Sequence, residues 1–144
     1  MNVNDILDKW KKDSFIDKTK IDSESLKSSE LHYEFMNILI KENALLVKMK
    51  NEFNALSHQK RHFYLDGAKT LSEVKDIKKV PQKIVLKNEV DGYILADDDI
   101  IKATQELADQ QDKVDLLKSI LNVINKRSYD IKNYIDFLRF QNGN

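Results

Sequence analysis

The sequence predicts a mainly α protein: two long helices forming a helical hairpin, a short helix ahead of them, and a short extended or β segment in the middle stretch. Three observations carry this expectation. The helix breakers Gly67, Pro81 and Gly92 crowd into one middle stretch, and only Gly143 lies elsewhere. Each of the two breaker-free segments carries an apolar stripe at three- and four-residue steps. At 144 residues, 41% hydrophobic and 33% charged, the chain has material for one modest core and is polar for its size, so a partner is expected to finish that core.

The first long segment runs from about Asp22, which suits a helix N-cap, to about Tyr64. Its stripe is Leu31, Phe35, Ile38, Leu45, Met49, Leu56 and Phe63, with Glu42 and either Glu52 or Phe53 at the skipped positions. The second begins near Asp97-Asp98-Asp99, whose carboxylates suit the positive end of a helix dipole, and continues to about Gln141. Its stripe is Val114, Leu117, Leu121, Ile124, Ser128, Ile131, Ile135 and Leu138. Each segment is long enough for a helix of roughly 40 residues, about 60 Å at 1.5 Å per residue. Such helices outrun a single small globule, so leftover stripe predicts self-association, with Leu117, Leu121, Ile124, Ile131, Ile135 and Leu138 as the candidate oligomerisation residues.

A short helix over residues 4–12, with Ile6, Leu7 and Trp10 on one side, precedes the first long one. Between the long segments, QKIVLKNEVDGYIL places β-branched and aromatic residues around Asn88 and Gly92 and reads as one or two short strands. The organisation expected is one domain over 1–144. Residues 1–66 hold the N-terminal helices and a basic-aromatic segment, 67–96 a linker with short strands, and 97–144 the long C-terminal helix that drives oligomerisation.

Composition excludes several function classes. With three glycines the chain holds no GxxxxGK[ST] or GxGxxG phosphate loop, so it is neither a P-loop ATPase nor a Rossmann enzyme. Without cysteine it has no disulfide framework, thiolate nucleophile or thiolate metal site. No catalytic residue, cofactor or metal site is expected. His58 and His62 share a helix face but lack the glutamate of HExxH and a third ligand, and the three aspartates at 97–99 are accounted for by helix capping. The N-terminus has no apolar h-region and no stretch of 18 apolar residues occurs, which predicts a soluble, non-secreted protein without membrane attachment.

The formal net charge of +0 hides an uneven distribution. Residues 41–87 carry 11 Lys/Arg against 5 Asp/Glu, and residues 88–115 carry 2 against 9. A local basic surface binds a polyanion on a neutral protein, because phosphate contacts act within a Debye length of about 8–10 Å. The acidic stretch suits a basic protein partner equally well. The sharpest basic signal is SHQKRHFYLDG at 57–67, where His58, Lys60, Arg61 and His62 are followed at once by Phe63 and Tyr64. Lys and Arg neutralise phosphates, and an aromatic face stacks on any base at about 1–3 kcal/mol. Two readings stand open at this point: a single-strand platform, or a solvated helix end whose Phe63 and Tyr64 are core. Lys69, Lys75, Lys78, Lys79, Lys83 and Lys87 extend the basic track.

Four pieces of the chain, in order, resemble the UvsY family, the recombination mediators of T-even-like, myovirus-type phages. WKKDSFIDKTKID at 10–22 resembles the family's N-terminal signature. HFYLDG at 62–67 is similar to its aromatic-aromatic-glycine turn after a basic helix end, and VLKNEVDGYILADDDI at 85–100 and INKRSYDIKNYIDFLRFQNG at 124–143 are similar to its middle and C-terminal segments. The resemblance implies a mainly helical, non-enzymatic protein that forms ring-like homo-oligomers, hexamers or heptamers, in the cytoplasm of the infected bacterial host. It implies as partners single-stranded DNA, a RecA-like recombinase of the UvsX type, and the phage single-strand-binding protein that the recombinase displaces in recombination, repair and replication. The family's basic pair ahead of the aromatics maps onto His58 and Lys60, with Arg61 beside them, and histidine at 58 departs from the family's lysine. The DNA-binding residues expected are therefore His58, Lys60, Arg61, Phe63 and Tyr64. The rival expectation is a coiled-coil scaffold protein that binds no DNA.

Overall fold

The computed structural model describes residues 1–66 and 85–143. Within them lie four helices and no strand: α1 (Val3–Asp13), α2 (Ile21–Asp66), α3 (Val90–Leu95) and α4 (Asp98–Gln141). None of these helices is long and apolar enough to cross a membrane. Their ends follow local chemistry. Asn2 caps α1 through its side-chain oxygen, which accepts from the Asp5 N–H at 2.8 Å, while the Asp5 carboxylate accepts from the Asn2 N–H at 2.9 Å. This reciprocal box satisfies two of the N–H groups that a helix start leaves without intrahelical partners. The expected cap at Asp22 is corrected: α2 begins at Ile21, so Asp22 sits in its first turn, where its charge still suits the helix dipole. At the far end of α4, Gly143 takes a φ of +74°, the left-handed conformation in which glycine commonly closes a helix.

By their contacts the residues divide into two compact units, Met1–Ala44 with Gln111–Asn144 in one and Leu45–Gln110 in the other. The first unit is built around Ile6, Leu31, Phe35, Leu117, Ile120, Leu121 and Ile124, one cluster drawing on α1, α2 and α4. The Trp10 ring meets Phe35 edge-on at 5.6 Å, the favoured geometry for aromatic quadrupoles. The Lys9 ammonium lies 5.2 Å from the same ring centre and bonds Asp13 at 2.6 Å and Glu34 at 2.7 Å, tying α1 to α2. In α4 the inward position expected for Ser128 belongs to Arg127, which is buried and paired with Glu24 at the start of α2. A buried cation persists only with a close counter-charge, and the pair fixes how α2 and α4 meet there.

The second unit contains the remainder of α2, α3 and the start of α4, and buries Leu46, Val85, Val90 and Ile100. Leu46, and not Leu45, takes the inward place, because the step after the buried Glu42 is four residues. The strands expected around Asn88 and Gly92 are also corrected. Glu89 donates its N–H to the Leu86 carbonyl at 2.9 Å in a turn, and Val90–Leu95 is helical. With no strand beside it among the described residues, this segment has no ladder for its backbone, whereas a helical turn satisfies those groups locally, and strand propensity is too weak to overrule this. Residues 82–84 of that stretch lie outside the described residues.

Phe35 is fully buried and touches α1 through Trp10. Phe35→Ala is expected to lower the unfolding free energy by about 3–5 kcal/mol, read from urea titrations followed by circular dichroism.

Candidate nucleic-acid interface

The basic-aromatic segment occupies the last turns of α2, within the second unit. It is not an open platform. The Lys60 side chain is only 12% exposed, and its ammonium bonds Asp99 at 2.6 Å and lies 3.2 Å from Asp97. The Tyr64 hydroxyl donates to Asp97 at 2.7 Å. Asp97 also caps α4, its other oxygen accepting from the Asp99 N–H at 2.9 Å and the Ile100 N–H at 3.3 Å. Of the expected DNA-binding residues, Lys60 is turned inward, since part of the acidic stretch neutralises part of the basic one inside the fold.

The electrostatics follow from this geometry. Burial works against the charge on Asp97, yet the Tyr64 hydroxyl, the Lys60 ammonium and the Ile100 N–H outweigh it and hold the carboxyl below its ordinary range. Burial alone would favour neutral Lys60, but the Asp99 and Asp97 carboxylates reverse the sign and keep it protonated above the usual lysine range. Burial, aided by the hydrogen bond that the phenol donates to the charged Asp97, pushes the Tyr64 pKa well up.

What remains outward is Arg61, His58 and His62, all exposed. Arg61 pairs with Asp91, and both side chains are open to solvent. The His58 and His62 rings meet edge to face at 4.8 Å, and His62 Nδ1 lies 3.5 Å from Asp66. Among the described residues no group of three or more His, Asp or Glu is arranged to hold a metal ion. Phe63 and Tyr64 are half-buried, with ring centres 5.1 Å apart, and Tyr64 leans on Tyr93 of α3 at 5.6 Å. Sequence reasoning missed the α3 contribution, Asp91 and Tyr93, because a stretch read as strand gave no reason to bring those side chains to the end of α2. Lys87 is exposed, and Lys69, Lys75, Lys78, Lys79 and Lys83 lie outside the described residues.

The candidate oligomerisation stripe is divided by the fold. Leu117, Leu121 and Ile124 belong to the core of the first unit, and Ile131 is buried as well. Ile135 and Leu138 are half-buried.

Residues 9–144 match the family model described as the recombination, repair and ssDNA-binding protein UvsY. No curated protein matches the chain. The fold is similar to crystal structures of the bacteriophage T4 recombination mediator protein UvsY. In one lattice the TM-score is 0.79 with 23% identity over 98% of both chains, and in a second it is 0.79 with 20% identity over 98% of this chain and 99% of that one.

The Asp97 cluster gives a pH signature. Its depressed carboxyl contributes stability that is present above the ordinary carboxylate range and lost as pH falls below about 4, whereas Lys60 and Tyr64, both held protonated, contribute up to about pH 10. Urea unfolding in buffers between about pH 5 and about pH 3 is expected to show stability declining as the pH falls below about 4, with a shallower decline in Asp97→Asn. Equal slopes in the two proteins would mean that the cluster carries no linkage.

Proposed function

The chain belongs to the UvsY family of recombination, repair and ssDNA-binding proteins, and from that footing we propose that it is a recombination mediator. On this reading it binds single-stranded DNA as a homo-oligomer and promotes loading of a RecA-like recombinase in place of the single-strand-binding protein. The mechanism is binding, with no bond made or broken, and the recombinase supplies the ATPase.

The observation that carries the reading is the state of Arg61. Among the described residues it is an exposed guanidinium held by one exposed carboxylate, Asp91, at a helix end that also presents His58 and His62. An exposed ion pair is worth about 0–1 kcal/mol, so a DNA phosphate exchanges for Asp91 at little cost. Lys60 differs: releasing it strips the buried Asp97 of its counter-charge. Within the proposed site Arg61 and His58 face the phosphates, Phe63 and Tyr64 supply aromatic surface, and Lys60 chiefly positions the helix end that displays them. A homo-oligomer repeats this modest site many times, and the resulting effective concentration holds one strand against a cooperative competitor without fuel.

Fluorescence anisotropy of single- and double-stranded oligonucleotides across a salt series tests the reading. Preference for the single strand is expected, with log K falling by about 0.7 per neutralised phosphate. Equal affinity for duplex, or binding indifferent to salt, favours the scaffold reading instead.

The same assay separates the roles. Arg61→Ala is expected to weaken binding by about tenfold, near 1.4 kcal/mol, with unchanged unfolding. Asp91→Asn, which removes the internal competitor, strengthens it. Lys60→Ala is expected to cost about 3 kcal/mol of stability, whether or not DNA is present.

A further inference from the structure

Both long helices expose a second apolar face in the first unit. On α2, Leu26, Tyr33 and Ile40 recur every seven residues and are between 59 and 81% exposed. At about 100° per residue they fall within a narrow arc opposite the buried Leu31 and Phe35. On α4, Tyr129, Phe137 and Phe140 are between 55 and 82% exposed and occupy the side away from the buried Ile124 and Ile131. A fully buried aromatic side chain covers about 150–250 Å², so each face offers on the order of 400 Å² of unpartnered apolar surface. A standard interface buries about 800 Å² per partner, a little over half of it apolar. Each face therefore matches one side of such an interface.

We propose that these faces are the two halves of one heterologous contact between copies of this chain, the Leu26–Tyr33–Ile40 face of α2 seating on the Tyr129–Phe137–Phe140 face of α4 of the next copy. This rests on the homo-oligomeric reading above and names the surfaces that build it. A closed ring of more than two copies needs two different, complementary patches on every protomer. A seven-residue repeat keeps one helix face against a partner helix over several turns. The inward stripe of α4 does not serve, because Leu117, Leu121 and Ile124 are already enclosed by α1 and α2 of their own chain.

The test uses two full-length variants, Tyr33→Glu with Ile40→Glu on α2 and Phe137→Glu with Phe140→Glu on α4, with Leu26→Lys plus Ile40→Lys as a second α2 variant. All these positions are exposed, so circular dichroism and melting are expected to match the parent. In sedimentation velocity the parent assembles and each variant alone sediments as a monomer. An equimolar mixture of the α2 and α4 variants gives a species of two chain masses, joined by the one contact left intact, and goes no further. A variant that assembles normally by itself, or that self-dimerises through its intact face, overturns the proposal while leaving the homo-oligomer reading standing. Two inert variants whose mixture stays monomeric overturn it as well. A monomeric parent overturns both.

Discussion

Asp97 divides its two carboxylate oxygens between two helices. One accepts the first free N–H groups of α4 and the other takes the Tyr64 hydroxyl and the Lys60 ammonium of α2. A cap that ends in solvent fixes only the helix it begins. Here the cap also fixes the rotation of α2 about its own axis. A helix turns about 100° per residue, so holding Lys60 inward turns Arg61 to the flank and His58 and His62 to the far side, which agrees with the exposure of all three. The display of basic groups at the end of α2 is thus a consequence of where one carboxylate lies. That carboxylate is buried and charged, so it tolerates the loss of neither partner well.

The same arrangement explains the opposed charge blocks. Residues 41–87 and 88–115 have nearly cancelling excess charge, and in the second unit some of that charge cancels by contact: Lys60 with Asp97 and Asp99, Arg61 with Asp91. The two pairings are not equivalent. The first is shielded from water where Lys60 meets Asp97, and it acts as structure. The second is open and weak, so it lowers the charge of the resting surface yet yields readily to another anion. For a proposed strand-binding site this means that only part of the basic block answers to salt in the way phosphate contacts do.

Much of the fold was legible because its determinants are periodic or punctuating. Glycine and proline bracketed the long helices, the aspartates at 97–99 marked the start of α4, and the stripe of Leu117, Leu121 and Ile124 identified its buried side. Where the reading failed, the decisive term was tertiary. Nothing local says that Val90 and Tyr93 will be helical, since the alternative needed a partner strand whose presence is a property of the whole fold. Arg127 was passed over in favour of Ser128 because a cation inside a core is expected only once its carboxylate, Glu24, is known to lie beside it. The outer stripe of Leu26, Tyr33 and Ile40 was not read from the sequence, because only burial distinguishes a face that is covered from one that is not. For the candidate site, the sequence located the segment correctly on a helix end but could not divide its cations into those turned inward and those turned outward.

A site of this kind suits a protein that must give its strand away. On the proposed reading, a deep cleft with several fixed cations would bind single-stranded DNA tightly and release it slowly, since differences in affinity reside mostly in the off-rate. An exposed arginine that already has an internal carboxylate to return to loses little when one phosphate leaves, so each contact breaks on its own. Repetition around an oligomer then separates two quantities that a single tight site couples: the whole strand is held by effective concentration, while any short piece of it can be surrendered at the cost of one weak contact. A recombinase filament that grows by a few nucleotides at a time needs only the second quantity to be small. On the proposed reading, the internal pairing of Arg61 with Asp91 serves hand-over for the same reason that it weakens binding.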